Sequence, residues 1–150
     1  MSNQPMKCVV AALAALLAGC GTEPAPSAPA VQTGRASLEL AFADASREFQ
    51  VPVELLKAIG FVETRVSPTF NGGSINGGFG LMNLVERDDW KMLSRAAALT
   101  GVPAERLKLD ATANIRGAAA VLRELADKSF REYPSLSAYN LGDWFEAVSF

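Results

Sequence analysis

Apolar residues recur at intervals of three and four in four segments of the chain, which is the spacing expected for one buried face of a helix. The first three segments cover residues 37–50, 52–65 and 86–100, with Ser37 as the N-cap of the first and Gly101 ending the third. The fourth begins at Asp110 or Thr112, either of which can serve as its N-cap. The second segment has the densest apolar pattern and is therefore expected to be the most buried helix. The spacing as a whole predicts an all-α domain.

Glycine, proline and capping residues mark the segments between and after these predicted helices. Residues 67–80 contain five glycines and follow neither a strand nor a helix pattern, so they are predicted to form a loop or a small hairpin. A short turn of helix is expected at 104–107, and Asp143 is a candidate N-cap for a terminal helix that contains Trp144. Because that helix reaches Phe150 without a cap, the chain is expected to be the N-terminal part of a longer protein.

The beginning of the chain has the pattern of a bacterial export signal. Lys7 precedes the apolar stretch Val9–Leu17, which is too short to span a bilayer stably. The stretch leads into Leu17-Ala18-Gly19-Cys20, which resembles the lipobox of bacterial lipoproteins, in which the leader is cut before the cysteine and the new N-terminus is acylated. By this resemblance residues 1–19 are a signal peptide and Cys20 is the lipid anchor. An ordinary secretory leader with an incidental cysteine is the alternative.

A tether is predicted to follow the lipid anchor. Residues 21–35 contain three prolines among small residues and show no apolar periodicity, which is the composition of an extended linker. Residues 20–35 are therefore assigned as anchor and tether. Gly21 stands where a signal for retention in the inner membrane would have Asp. We therefore expect a cell-envelope location, anchored through the lipid on Cys20 to the outer membrane and facing the periplasm.

Composition excludes several classes of chemistry. The chain has 14 basic and 16 acidic residues and no basic cluster, so a nucleic-acid partner is not expected. Histidine is absent, which excludes Ser-His-Asp and Cys-His nucleophile systems and His-ligated zinc. The two cysteines, Cys8 and Cys20, precede the predicted domain and leave it without a thiol nucleophile or a Cys-based metal site. Carboxylates must therefore perform any acid–base chemistry, and neither a cofactor nor a metal is expected.

Glu63 is the carboxylate whose position is most informative. It lies at the end of the second predicted helix, on the same face as Leu56 and Ile59, and a glycine-rich loop follows it. This spacing predicts a side chain that faces packed apolar groups, where burial disfavours the charged form and a carboxyl group can act as a general acid. The alternative is a solvated acid at a helix end near Arg65.

Four short motifs occur in a recognisable order. They are Glu63-Thr64, then Gly80-Leu81-Met82-Asn83-Leu84, then Asn114-Ile115 with Gly117, and Ala138-Tyr139-Asn140. Over roughly residues 41 to 148 the chain resembles the lytic transglycosylase domain of the SLT type, which is lysozyme-like. Thr64 replaces the family's Ser, and Asn83 replaces its Gln. The fourth motif can be aligned with the family pattern in a second way. In that alignment Leu141–Val148 resembles the segment just before the family's tyrosine.

The resemblance implies a fold, a reaction and a set of site residues. Residues 36–150 would form a small lysozyme-like helical domain with a glycine-rich loop or small hairpin beside the cleft. Glu63 would protonate the β-1,4 bond between N-acetylmuramic acid and N-acetylglucosamine, then take the proton from the 6-hydroxyl, giving a 1,6-anhydro sugar. The substrate would be the glycan strands of peptidoglycan. The residues implied in substrate binding are Thr64, Gly80, Leu81, Met82, Asn83, Tyr139 and Asn140.

Two other classes of function fit the same sequence. The first is a non-catalytic peptidoglycan-binding module that targets a downstream activity, such as an N-acetylmuramoyl-L-alanine amidase. The second is a helical lipoprotein that scaffolds envelope complexes, in which case Glu63 would be surrounded by water and far from any groove.

Overall fold

The computed structural model describes residues 34–67 and 73–149. The predicted leader, the lipid anchor Cys20 and the tether up to residue 33 lie outside the described residues. Within the described ranges the chain forms mainly helices, and the all-α prediction with a small hairpin is confirmed. The helices are α1 (Arg35–Phe49), α2 (Val53–Thr64), α3 (Met92–Thr100), α4 (Ala104–Leu109), α5 (Ala111–Glu132), a 3-10 helix (Leu141–Trp144) and α6 (Phe145–Val148). The hairpin consists of β1 (Gly78–Phe79) and β2 (Leu84–Val85).

Helix α5 is the centre of the fold. It packs against α1, α3, α4 and α6, and its small residues allow these helices to approach closely. A Cβ atom on Gly117 would lie 3.0 Å from Leu107 Cδ2 and 3.1 Å from the Cβ of Ala96, so only glycine fits there without displacement. Asp110 is the N-cap, because its side chain accepts a hydrogen bond of 3.1 Å from the Ala113 N–H. Of the two predicted caps for this helix, Asp110 is correct.

The prediction that the second helix is the most buried element is wrong. In α2 only Leu56 and Gly60 are buried, whereas α5 contains eleven buried residues. Four other apolar residues of α2 line an open cleft, and they are Leu55, Ala58, Ile59 and Val62. A strong apolar pattern shows that a face is apolar, but it does not show whether another element covers that face.

Helix α3 begins later than the pattern predicts. Its first residue is Met92, because Glu86 and Lys91 form an antiparallel bridge that precedes it. Glu86 then caps the helix from outside, accepting hydrogen bonds of 2.9 Å from the Ser94 N–H and 2.6 Å from the Ser94 hydroxyl. Burial opposes ionisation of Glu86, but these hydrogen bonds and the nearby lysine charges outweigh it and lower its pKa. Gly101 ends the helix in the left-handed conformation, as predicted.

Both ends of the described chain are capped by residues other than those predicted. Ser37 lies inside α1, where its hydroxyl donates to the carbonyl of Gly34, which is the actual N-cap. Near the other end, Asn140 caps the 3-10 helix by accepting a hydrogen bond from the Gly142 N–H, so Asp143 is not the cap. Trp144 is fully buried in this segment and donates to the Ala138 carbonyl at 3.1 Å. This indole tethers the 3-10 helix to the turn before it.

Candidate functional site

Glu63 lies in the last turn of α2 at the margin of a cleft with a volume of about 400 Å³. The side chain is exposed, so the prediction that it faces packed apolar groups is wrong. Of the two apolar residues predicted to share its helix face, Ile59 lines the open cleft, whereas Leu56 is buried in the core. The position also differs from the scaffold alternative, in which Glu63 would be far from any groove.

The hairpin places a side-chain amide against this carboxylate. Asn83 is the last residue of the turn between the two strands, and its Nδ2 donates a hydrogen bond of 2.7 Å to Glu63 Oε2. The backbone of Asn83 is left-handed, with φ of 52°, a conformation that Asn tolerates better than most residues. A Cβ on Gly78 would lie 2.0 Å from Asn83 Oδ1, so glycine at residue 78 makes room for the amide. In the described part of the chain, Oδ1 is buried without a hydrogen-bond partner.

Thr64 joins the end of α2 to the same hairpin. Its hydroxyl oxygen lies 2.8 Å from the Leu81 carbonyl oxygen and 3.2 Å from the Gly60 carbonyl oxygen, and can donate to either. Leu81 is itself buried in the core. The residue next to the acid is therefore attached to a fixed point of the loop, which limits the positions that Glu63 can take.

Asn114, which from the sequence is expected to be a cap or a structural amide, is the anchor of the site. Its side chain is fully buried and accepts a hydrogen bond of 2.6 Å from the Met82 N–H. It also donates to the carbonyls of Phe79 at 3.0 Å and Leu107 at 2.9 Å. Gly80 lies against this amide with φ of 71°, and a Cβ there would be 2.2 Å from Asn114 Nδ2. The available signal was an amide on the buried face of an alanine-rich helix.

Six of the eight predicted site residues lie at the cleft or directly behind it. Glu63, Met82 and Asn83 line the cleft. Thr64, Gly80 and Leu81 lie directly behind it and fix the loop through the contacts described above.

The structure does not bring Tyr139 and Asn140 to this cleft. Tyr139 is fully exposed and lines a separate shallow groove with Pro52 and Glu54, which lie at the start of α2. Glu63 is at the other end of that helix, about 15 Å away at 1.5 Å per residue. Asn140 uses its side chain for the cap. From the alternative register, Leu141–Val148, the last two residues do line the cleft.

The rest of the cleft wall is almost entirely apolar. Trp90, Met92 and Leu125 contribute to it, and among the described residues Glu63 is the single charged side chain that lines the cleft. The described residues contain no cluster of His, Cys, Asp or Glu that could hold a metal ion. None of the helices in the described ranges combines the length and the hydrophobicity needed to cross a membrane.

Residues 41–147 match the family model of the transglycosylase SLT domain. The chain belongs to this family. The matched range includes all of α2 to α5, the hairpin and the cleft, so the acid, its amide partner and the Asn114 anchor all lie within the SLT domain. Comparison with curated proteins and with solved structures gives no match. Membership identifies a lysozyme-like domain of the lytic transglycosylase class, whose substrate is peptidoglycan.

Proposed function

We propose that this SLT domain cleaves the β-1,4 bond between N-acetylmuramic acid and N-acetylglucosamine, with Glu63 as both acid and base. One observation supports this assignment above the others: within the described ranges, Glu63 is the single charged side chain that lines the cleft. Two neighbouring contacts restrain Glu63. The Asn83 amide donates to its carboxylate, and the hydroxyl of the adjacent Thr64 contacts the Leu81 carbonyl of the loop. A carboxyl group held in one place beside a substrate-sized cleft meets the geometric requirement for general acid–base catalysis.

A single carboxyl group can balance both steps of the reaction. Protonated Glu63 gives its proton to the glycosidic oxygen, which leaves with the bonding electron pair as the 4-hydroxyl of N-acetylglucosamine. The acetamido carbonyl oxygen of the muramic acid stabilises the cationic carbon. The 6-hydroxyl oxygen then bonds to that carbon while the Glu63 carboxylate takes its proton. This closes the 1,6-anhydro ring and restores the protonated acid without a second carboxylate.

Asn83 has a positioning role in this proposal. Its amide N–H donates to Oε2 of Glu63 and thereby orients the carboxyl group. The other oxygen, Oε1, is left available to the sugar. A glycan strand in the cleft would also displace the water around the exposed carboxyl group, which strengthens the electrostatic interactions there. Met82, buried at the same wall, supplies an apolar contact surface for the sugar.

The membrane anchor is a separate part of the proposal and is based on the sequence alone, on the Leu17–Cys20 motif and on Gly21. We place the domain at the outer membrane, facing the periplasm, with the lipid on Cys20 and the tether giving it reach toward the wall. Metabolic labelling with palmitate, wild type beside Cys20→Ser, checks this. Label that persists in the Cys20→Ser chain would contradict the assigned anchor.

The second candidate, a glycan-binding module that targets an amidase, also has support. Asn83 is shorter than the family's Gln, and Tyr139 lies away from the cleft. Both features could remove activity while leaving a surface that binds glycan strands.

Analysis of the muropeptides released from purified peptidoglycan tests the two candidates. Glu63→Gln keeps the shape of the side chain but has no proton to donate, and Glu54→Gln changes an exposed acid at the opposite end of the same helix. We expect anhydro products from the wild type and from Glu54→Gln, and a loss of about 100-fold or more in Glu63→Gln. Products that persist in Glu63→Gln would refute the role of Glu63. Glycan binding without products from the wild type would establish the binding module.

A further inference from the structure

The chain contains two tryptophans, which differ in what they contact. Trp144 is fully buried, lies edge-on to Phe130 with ring centroids 5.6 Å apart, and donates its indole N–H to the Ala138 carbonyl. Trp90 is half-buried and lines the cleft. Within the described ranges, its indole has no stacked ring, no cation over its face and no hydrogen bond from its N–H. The core uses the indole of Trp144, whereas the face of Trp90 is available to a ligand.

The backbone holds Trp90 in place at the edge of the cleft. Arg87 and Trp90 exchange two hydrogen bonds, of 2.9 Å and 3.1 Å, across a tight turn. The next pair, Glu86 and Lys91, forms the antiparallel bridge, and α3 then begins at Met92. Because the main chain is fixed on both sides, a ligand that binds to the indole has to order only the side-chain torsions of Trp90.

A second groove adjoins the cleft at Trp90. It has a volume of about 580 Å³ and shares Trp90, Met92 and Leu125 with the cleft, so the two form one continuous surface. Glu63 lines the cleft but not this groove. The remaining lining residues of the groove carry polar or charged groups, and they are Asp89, Lys91, Ser94, Arg95 and Lys128. We refer to these eight lining residues as the side groove.

The cations of the side groove already have interaction partners. Arg95 forms an ion pair with Glu124. Lys91 lies close enough to the Glu86 carboxylate for the two charges to attract each other, and Lys128 has a partner of its own. The polar groups of the side groove therefore suit an uncharged ligand that carries hydroxyl groups better than they suit an anion.

A sugar ring has two kinds of surface that match this part of the molecule. Its hydroxyl groups project from the rim of the ring, whereas the axial C–H groups of a β-linked pyranose make its faces apolar. An aromatic side chain can cover an apolar face while polar side chains beside it bind the rim. Trp90 lies where an apolar cleft meets a groove with polar groups, so it offers both surroundings to one ring.

We propose that Trp90 is a stacking platform for one sugar of the bound glycan strand. This sugar lies beyond the cleaved bond, where the cleft continues into the side groove. Trp90 thereby fixes the position of the strand relative to Glu63, as a binding residue that does not touch the reacting atoms. This inference rests on the proposed cleavage of a glycan strand in the cleft.

Binding of glycan strands to matched variants tests the platform. The ligand is purified glycan strands from which an amidase has removed the peptides, and all variants are made in the Glu63→Gln chain to keep the strands intact. Trp90→Leu keeps an apolar side chain but loses the flat ring, and Trp90→Phe keeps an aromatic face. Tyr133→Ala is the control, because it removes an exposed aromatic ring that lines neither the cleft nor the side groove. Thermal unfolding checks that each variant is folded.

We expect Trp90→Leu to bind the strands about 3- to 10-fold more weakly than the parent chain. Trp90→Phe should recover part of this loss, and Tyr133→Ala should bind as the parent does. Equal affinity of Trp90→Leu and the parent would overturn the proposal, as would an equal loss in Tyr133→Ala.

Fluorescence quenching by acrylamide tests the contact directly. Trp144 is fully buried, so the quenching of the parent chain reports mainly on Trp90. Glycan strands should protect the parent from the quencher but should have no effect on Trp90→Phe, in which Trp144 is the remaining tryptophan. Absence of protection in the parent, or equal protection in Trp90→Phe, would contradict a contact between the indole and a sugar.

Kinetics in the chain that retains Glu63 separate this proposal from the proposed catalysis. Stacking on a sugar outside the reacting bond is made equally in the ground state and the transition state, so Trp90→Leu should raise KM and leave kcat unchanged. A lower kcat with unchanged KM would overturn the binding role. Protection of Trp90 without anhydro products from the wild type would support the platform and reject catalysis. Anhydro products without protection would do the reverse.

Discussion

Two side-chain amides contact the same hairpin, and their surroundings are opposite. Asn114 is fully buried and uses its amide in three hydrogen bonds, to Met82, Phe79 and Leu107. Asn83 is half-buried and makes one, to Glu63, while its Oδ1 lacks a partner in the described part of the chain. The first amide holds the loop together, and the second uses the completed loop to hold the Glu63 carboxylate at the surface. Stability therefore depends mainly on one amide, and the position of the acid that we propose as catalytic depends on the other.

The same division separates the helices that present these residues. Helix α5 buries most of one face and packs against four other helices, α1, α3, α4 and α6. Helix α2 buries two residues and leaves the rest of its apolar face along the cleft. A ligand in the cleft would therefore bury apolar surface that folding leaves exposed, and it would do so without disturbing the α5 core.

The largest effect on stability is expected from removal of the buried amide. Asn114→Ala leaves the Met82 N–H and two carbonyls buried without partners, so the free energy of unfolding should fall by about 3 kcal/mol. Asn83→Gly is the matched variant, because glycine also accepts the left-handed backbone there, and it should cost about 0.5 kcal/mol or less. Urea unfolding of both variants measures the difference. Equal losses in the free energy of unfolding would show that the two amides contribute equally to stability.

Gly80→Ala should have an intermediate effect. The new methyl group would overlap the Asn114 amide, and the backbone at φ of 71° disfavours any residue with a Cβ. Together these should lower the free energy of unfolding by about 2 to 3 kcal/mol. Gly101→Ala is the control, since its φ of 68° is nearly the same but its Cβ would have no atom within 4 Å. Its loss should be about 1 kcal/mol. If both substitutions lower the free energy of unfolding by the same amount, the contact with Asn114 does not contribute to stability.

The smallest effect concerns a surface ion pair that joins α1 to α5. Arg116 donates to both carboxylate oxygens of Glu48, at 2.6 Å and 2.8 Å, and this contact lowers the pKa of Glu48 despite a small opposing effect of burial. A lowered pKa in the folded state stabilises the protein above the ordinary value of 4.5, and this contribution is lost as the pH falls through the folded value. Both side chains are about two-fifths exposed, so the contribution is about 0.5 kcal/mol.

Thermal unfolding of the wild type and Glu48→Gln between pH 3 and pH 7 measures this contribution. The variant should be less stable at pH 7, and the two curves should converge as the pH falls below about 4.5. High salt should reduce the gap at pH 7, because the pair is exposed to screening. A stability difference that persists at low pH would show that the Glu48 side chain contributes through packing and not through its charge.

The sequence by itself determined much of the helical framework. The apolar spacing identified α1, α2 and α5, while Asp110 and Gly101 marked where α5 begins and α3 ends. These features could be predicted because helix patterns and caps are local: they depend on residues within about one turn of each other. Four short motifs also indicated the family before any contact was known.

Tertiary structure alone decided which of those residues meet. The exposure of Glu63, its hydrogen bond from Asn83 and the separation of Tyr139 from the cleft all depend on contacts between segments distant in sequence. Asn114 holds a loop 32 residues earlier through its contact with Met82. Periodicity locates an apolar face but does not identify what covers it. The burial of α5 and the open face of α2 therefore became known only when the elements were packed together.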